Sequence, residues 1–121
     1  MRVIHYLNQF FGQVGGEDTA YTPLEVRQGS LGPGKALQAQ LENAEIVATV
    51  ICGDNYFVEN TETVEKQIAD IISNYQADIV IAGPAFNAGR YGMACGNVCK
   101  IAFNEGIIAI SGMYKENPGL D

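Results

Sequence analysis

Apolar residues along this chain fall into two kinds of run. Four short ones, at residues 2–7, 45–52, 78–82 and 107–111, are rich in β-branched side chains and bounded by turn residues, which predicts strands. Their apolarity is near continuous rather than alternating, as in strands covered on both faces. Between them the period becomes helical. Val64, Ile68, Ile71, Ile72 and Tyr75 form one stripe over residues 61–75. Thr61 is the expected N-cap, with Glu62 and Glu65 in the first turn. A shorter helix is predicted over 35–43, entered through Gly32-Pro33-Gly34, with Ala36, Leu37 and Leu41 apolar. A third is predicted over 88–104. It ends near Gly106, a residue suited to a left-handed C-terminal position. This helix carries small residues at Gly92, Cys95, Gly96 and Cys99. Glycine inside a helix costs about 1 kcal/mol relative to alanine, so close packing is expected to offset Gly92 and Gly96.

The order strand–helix–strand–helix–strand–helix–strand predicts the α/β class. The expected architecture is an open, parallel, four-stranded sheet with helices on both faces, a three-layer Rossmann-like or flavodoxin-like arrangement with right-handed crossovers. The expected strand order is 2-1-3-4. Residues 1–121 read as a single domain. Residues 8–34 read as irregular, and connections of that length are usually functional. No repeat or low-complexity tract interrupts the pattern.

Composition narrows the partners. The 47% hydrophobic fraction is that of an ordinary globular chain. The formal net charge of −7 disfavours nucleic acid, whose binding needs clustered Lys and Arg. It disfavours an anionic membrane surface for the same reason. No apolar run approaches the ~20 residues of a membrane helix. Residues 1–7 are too short for a signal peptide, so a cytoplasmic location is expected. Three cysteines, an odd number without CxxC spacing, point to reduced thiols and not to a disulfide framework or a zinc site.

Ligands of open α/β sheets bind beyond the carboxyl ends of the strands. The chain reaches that edge through four loops, beginning at Asn8, Cys52, Pro84 and Gly112. The third loop is the most informative. Gly83-Pro84-Ala85-Phe86-Asn87-Ala88-Gly89-Arg90-Tyr91-Gly92 leads from a strand into a helix start, where free N–H groups and the helix dipole favour an anion. Arg90 is a candidate to pair bidentately with a carboxylate, or else it makes a structural ion pair. Asn87 is either a ligand donor or a helix cap, and Gly89 allows close backbone approach. Asp54 and Asn55 are either polar site groups or an Asx turn at a helix entry. Cys52, at a strand end facing the expected cleft, is the one candidate for thiol chemistry. Cys95 and Cys99 read as packing residues. His5 reads as a core or cleft-edge residue. Gly12-Gln13-Val14-Gly15-Gly16 and Gly32-Pro33-Gly34-Lys35 lack the spacing of dinucleotide and P-loop motifs.

Longer motifs carry a resemblance. They are the opening Met-Arg-Val-Ile-His-Tyr-Leu-Asn-Gln-Phe-Phe-Gly with Gly15-Gly16-Glu17, Gly32-Pro33-Gly34, the run Ile46 to Asp54, the stretch Ala82 to Gly92 with Ala94-Cys95-Gly96, and Gly112-Met113-Tyr114 with Glu116-Asn117-Pro118-Gly119. Together they resemble the N-terminal part of the glycine/sarcosine/betaine reductase component B selenoprotein, over essentially the whole chain. The resemblance implies a substrate-specific subunit acting in anaerobic reductive C–N cleavage. It implies a selenocysteine downstream, a pyruvoyl group on a partner subunit, selenoprotein A as a further partner, and a small zwitterionic substrate. No cofactor is expected within these residues. The family chain is several times longer, so these residues are expected to be a fragment that does not turn over alone. Two other readings remain open: a small-anion-binding or partner-docking module using Phe10-Phe11 or Tyr56-Phe57, and a flavodoxin-like electron carrier.

Overall fold

The computed structural model describes residues 1–12, 15, 19–85 and 89–113, with backbone alone at 84–85, 89–91 and 112–113. Its elements are β1 (Arg2–Asn8), β2 (Glu25–Gln28), α1 (Pro33–Gln40), β3 (Glu45–Cys52), α2 (Asp54–Glu59), α3 (Thr61–Asn74), β4 (Ile79–Ala85), α4 (Gly89–Asn104) and β5 (Ile108–Met113). The strands form one sheet in the order β2-β3-β1-β4-β5. β3, β1, β4 and β5 are mutually parallel, and their order is the one expected of the four predicted strands.

The sheet is mixed and five-stranded, not parallel and four-stranded. β2 lies inside the stretch that reads as irregular and pairs antiparallel with β3. Glu25-Val26-Arg27-Gln28 offers one apolar residue in four, so no hydrophobic pattern announces it. An edge strand needs a backbone partner more than a buried face, and charges on it discourage further pairing. Glu25 and Arg27 form an ion pair at 3.1 Å.

The two faces are covered differently. Ile4 and Tyr6 of β1, Val50 and Cys52 of β3, and Val80 and Ala82 of β4 join one core with Phe57 of α2, the stripe Val64, Ile68, Ile71 and Ile72 of α3, and Ala94, Cys95, Val98, Ile101 and Ala102 of α4. Each large aliphatic buried there contributes about 1.5–3 kcal/mol, which explains why the stripe fixes the helix. Val3, His5 and Leu7 point to the opposite face by strand alternation. There α1 begins, with the backbone of Gly34 so close to His5 that an added Cβ would stand 2.8 Å from Nδ1.

Several element ends differ from the sequence-based bounds. α1 spans Pro33–Gln40, not 35–43, because the Gln38 side chain turns back to the next strand. Its Nε2 donates to Ala44 O at 3.0 Å and its Oε1 accepts from Ile46 N at 2.6 Å. Thr61 does not cap α3. Asn60 holds that position, and the Thr61 hydroxyl donates back to Phe57 O at 3.0 Å, joining α3 to the unpredicted α2. Gly106 has φ +79°, and Ile107 N donates to Ala102 O at 3.1 Å, the expected left-handed helix end.

His5 ties the middle of the sheet together. Its ring is buried, and Nε2 lies 2.6 Å from the carbonyl of Gly83, where β4 bulges with φ +124°. A carbonyl only accepts, so Nε2 carries a proton, and burial favours the neutral form of the ring. Burial pushes the His5 pKa below its ordinary 6.5, opposed in part by the Gly83 carbonyl. The unfolded chain therefore takes up a proton near pH 6.5 that the folded chain does not. The stabilisation is fully present above that pH and is lost as pH falls below it. The urea midpoint is expected to drop between pH 7 and pH 5.5 by more in the native chain than in His5→Gln. Equal drops would show that His5 is not the titrating group.

Candidate functional site

The polypeptide leaves β1 toward β3 on one side and, later, leaves β4 toward β5 on the other. The crevice between the carboxyl ends of β1 and β4 is therefore the switch point of the sheet, the usual ligand position in open α/β folds. Three parts of the chain end or begin near it: the turn after β1, the start of α2 after β3, and the end of β4 with the start of α4.

The first two are locked together by side chains that the sequence does not single out. Asn8 and Gln9 are buried polar residues directly after an apolar strand. Asn8 Nδ2 donates to Asp54 Oδ2 at 3.0 Å, and Asn8 Oδ1 accepts from Phe11 N at 3.0 Å. Gln9 Oε1 accepts from Asp54 N at 3.1 Å. Asn55 N and Tyr56 N both donate to Ala20 O, at 2.8 and 3.1 Å. The first N–H groups of α2, which at a free helix start would seek an anion, thus already have partners. Asp54 stands here as a carboxylate held by Asn8, and Asn55 is anchored through its backbone. The network was not legible beforehand because its members lie 45 and 46 residues apart. The signal available was the pair of amides following an apolar run.

Gly53 permits that junction. It donates to Thr22 O at 2.9 Å, and an added Cβ would lie 2.3 Å from Ala20 O and 2.7 Å from Thr22 N. The obstacle is backbone, so no side-chain rotation relieves it.

Cys52 is fully buried in the helix-covered core, and its Sγ lies 3.6 Å from Gly53 O. Burial, with a smaller contribution from the Asp54 charge, pushes the thiol up to about 12. A nucleophilic cysteine needs the opposite shift. Cys95 is also buried, and burial raises Cys99 as well.

For the third, the described backbone runs to Ala85 and resumes at Gly89. α4 begins at Gly89 and Arg90 is its second residue, four to five positions after β4 ends at Ala85. Asn87 lies outside the described residues, as do Phe86, Ala88 and the 114–121 stretch of the fourth loop. The sheet order brings the starts of α2 and α4 to one edge, with β1 between their strands. Phe10, 63% exposed, packs edge-on against Phe11 with ring centroids 5.2 Å apart beside this edge, whereas Phe57 is core. Among the described residues no group of three or more His, Cys, Asp or Glu side chains is arranged to hold a metal ion. No helix among them is long and apolar enough to cross a membrane.

A helix start at the switch point of an α/β sheet is where open α/β folds commonly place a ligand. Sequence comparison makes it specific. The glycine/sarcosine/betaine reductase selenoprotein B family model matches residues 1–121, and the chain belongs to that family. It is 57% identical to the glycine reductase complex component B subunit gamma of Carboxydothermus hydrogenoformans, over 99% of this chain and 28% of that one. It is 53% identical to the sarcosine reductase complex component B subunit beta of Peptoclostridium acidaminophilum, over 100% of this chain and 28% of that one. It is 43% identical to the betaine reductase complex component B subunit beta of the same organism, over 98% and 28%. The chain thus spans just over a quarter of the length of these relatives. No solved structure matches it.

Two outcomes follow from this geometry. Gly53→Ala should cost about 2–3 kcal/mol, in the range of substitutions that force backbone strain, read from urea unfolding. A loss near zero would mean that the 19–22 turn does not close over Gly53. In the native chain at pH 8, Cys52 should resist iodoacetamide while becoming reactive in urea, as peptide mapping can report. Rapid native alkylation at Cys52 would contradict the buried, high-pKa thiol.

Proposed function

We propose that these residues form the N-terminal α/β domain of the substrate-specific subunit of an anaerobic glycine, sarcosine or betaine reductase, and build one wall of its substrate pocket. The observation that carries this reading is the family match over all 121 residues, joined to a helix start at the switch point of the sheet. The three related complexes are named for glycine, sarcosine and betaine. These compounds differ in the methylation of nitrogen and share a CH2–carboxylate. A segment similar to subunits of all three suits the shared part. In this reading the N–H groups at the start of α4, with Gly89, Asn87 and the Arg90 guanidinium, hold the carboxylate. Asp54 and Asn55, fixed by Asn8 and Ala20, shape the neighbouring wall.

The arrangement reads as part of a three-layer doubly wound fold, with α1 on one side and α2 to α4 on the other. The selenocysteine and the pyruvoyl group belong elsewhere in the complex, the first in the longer subunit and the second on a partner, with selenoprotein A as the acceptor component. When present, those groups supply the covalent and redox chemistry of C–N cleavage. Cys52, held as a buried thiol, does not suit that task, and the residues of this chain bind and orient the substrate instead. A cytoplasmic setting fits such an assembly.

Replacing Arg90 in the full-length subunit, assayed with its partner components, tests the reading. Truncating one member of a desolvated charge pair costs about 2–5 kcal/mol, so Arg90→Ala should raise the apparent KM by roughly 30-fold or more for whichever substrate the complex uses. Arg90→Lys should recover part of it. An unchanged KM and rate in Arg90→Ala would remove the carboxylate role.

A further inference from the structure

The face of the sheet that carries His5 is half covered. At β1, Val3, His5 and Leu7 are buried, beneath α1 and the turn after Asn8, where an added Cβ at Gly12 would meet Ile51 within 3 Å. The register extends the same face outward, from Val3 to Ile79 and from His5 to Ile81. It continues from Ile79 to Ile108 and from Ile81 to Ile110. Along this path burial falls away. Ile79 and Ile81 are half-buried, while Ile108 and Ile110 are 55% and 51% exposed. Four isoleucines in two facing pairs make a flat, uncharged, β-branched surface. Single exposed apolar residues are ordinary, but a contiguous set marks a contact surface.

The topology explains why these residues cannot cover the patch with their own crossovers. The connections from β3 to β4 and from β4 to β5 run in the same direction across the sheet. Right-handed crossovers therefore place α2, α3 and α4 on the opposite face. A helix reaches the isoleucine face only after a connection that reverses direction, as α1 does between β1 and β3. The family supplies the material for one, since its subunits are more than three times the length of this chain. A second copy of this segment suits the face poorly, because these 121 residues carry a net charge of −7.

Resting on the reading of these residues as part of a component B subunit, we propose that Ile79, Ile81, Ile108 and Ile110 seat an amphipathic helix supplied by the remainder of the same subunit. The helix lays an apolar stripe across β4 and β5 and completes the layer that α1 begins.

The test places one thiol on the face in the full-length subunit, as Ile110→Cys and separately as Ile108→Cys. Both positions are half exposed within these residues, so either substitution is tolerated by the sheet. Maleimide labelling is followed by peptide-resolved mass spectrometry, on the isolated subunit at two protein concentrations and again in urea. Labelling of the folded subunit should be about 100-fold slower than in urea, independent of concentration, because it requires local opening of a packed layer. A photo-cross-linker at position 110 should attach to a downstream helical segment of the same chain. Labelling as fast as in urea overturns the proposal. So does protection that grows with protein concentration, which assigns the face to a second copy, or protection that appears only when the other complex components are added. The outcome is separable from the carboxylate assignment. A protected thiol at position 110 together with unchanged kinetics in Arg90→Ala keeps this inference and removes that one.

Discussion

A neutral imidazole at the centre of the sheet is the constraint on which the other parts rely. β1 is paired on both edges, by β3 and β4, and buried on both faces. Its buried imidazole, His5, lies against the first turn of α1 and donates to the carbonyl of Gly83 at the bulge of β4. A buried imidazolium there would face a large desolvation penalty, so the ring stays uncharged. That bond meets β4 at a positive-φ glycine followed by a proline, at a point where the β4–β5 register shifts.

The same logic of fixed exits governs the neighbouring strand. β3 ends at Cys52, and Gly53 brings the backbone under the 19–22 turn at a distance that only glycine allows. The buried amides of Asn8 and Gln9 then hold Asp54. Polar groups this deeply placed need partners, and here each named bond closes between segments far apart in sequence. The carboxyl edge of the sheet is thereby tied together on the β3 side.

Much of this was written in the apolar pattern. The runs that became β1, β3, β4 and β5 are dense in Val and Ile, and the spacing of Val64, Ile68, Ile71 and Ile72 leaves α3 no other period. Gly106 announced its own left-handed turn. β2 escaped because an edge strand can be held by backbone bonds alone, with no buried stripe to betray it. α2 escaped because six residues are too few to show a helical period, and its start is held by a carbonyl at Ala20 that local sequence cannot reveal. Thr61 shows the limit of capping rules: its hydroxyl had a nearer acceptor behind it, on Phe57. The start of α4 was legible to within a residue, at Gly89 against the expected 88. The Asn8–Gln9–Asp54 tie was not, since only folding brings such distant residues together. Cys52 was legible as a strand-end thiol, but its side of the sheet was not, and that side decides its ionisation.

The antiparallel strand β2 has a consequence for growth of the sheet. It lies along the outer margin of β3 and presents Glu25 and Arg27, so that margin is charged and finished. The opposite margin, β5, reads Ile-Ala-Ile-Ser-Gly-Met, with no charge and no described strand beyond it. The molecule is thus directional in assembly, like a ladder with one rail sealed. A strand added at β5 would extend away from β2 and leave the crevice between β1 and β4 nearer the middle of the enlarged sheet.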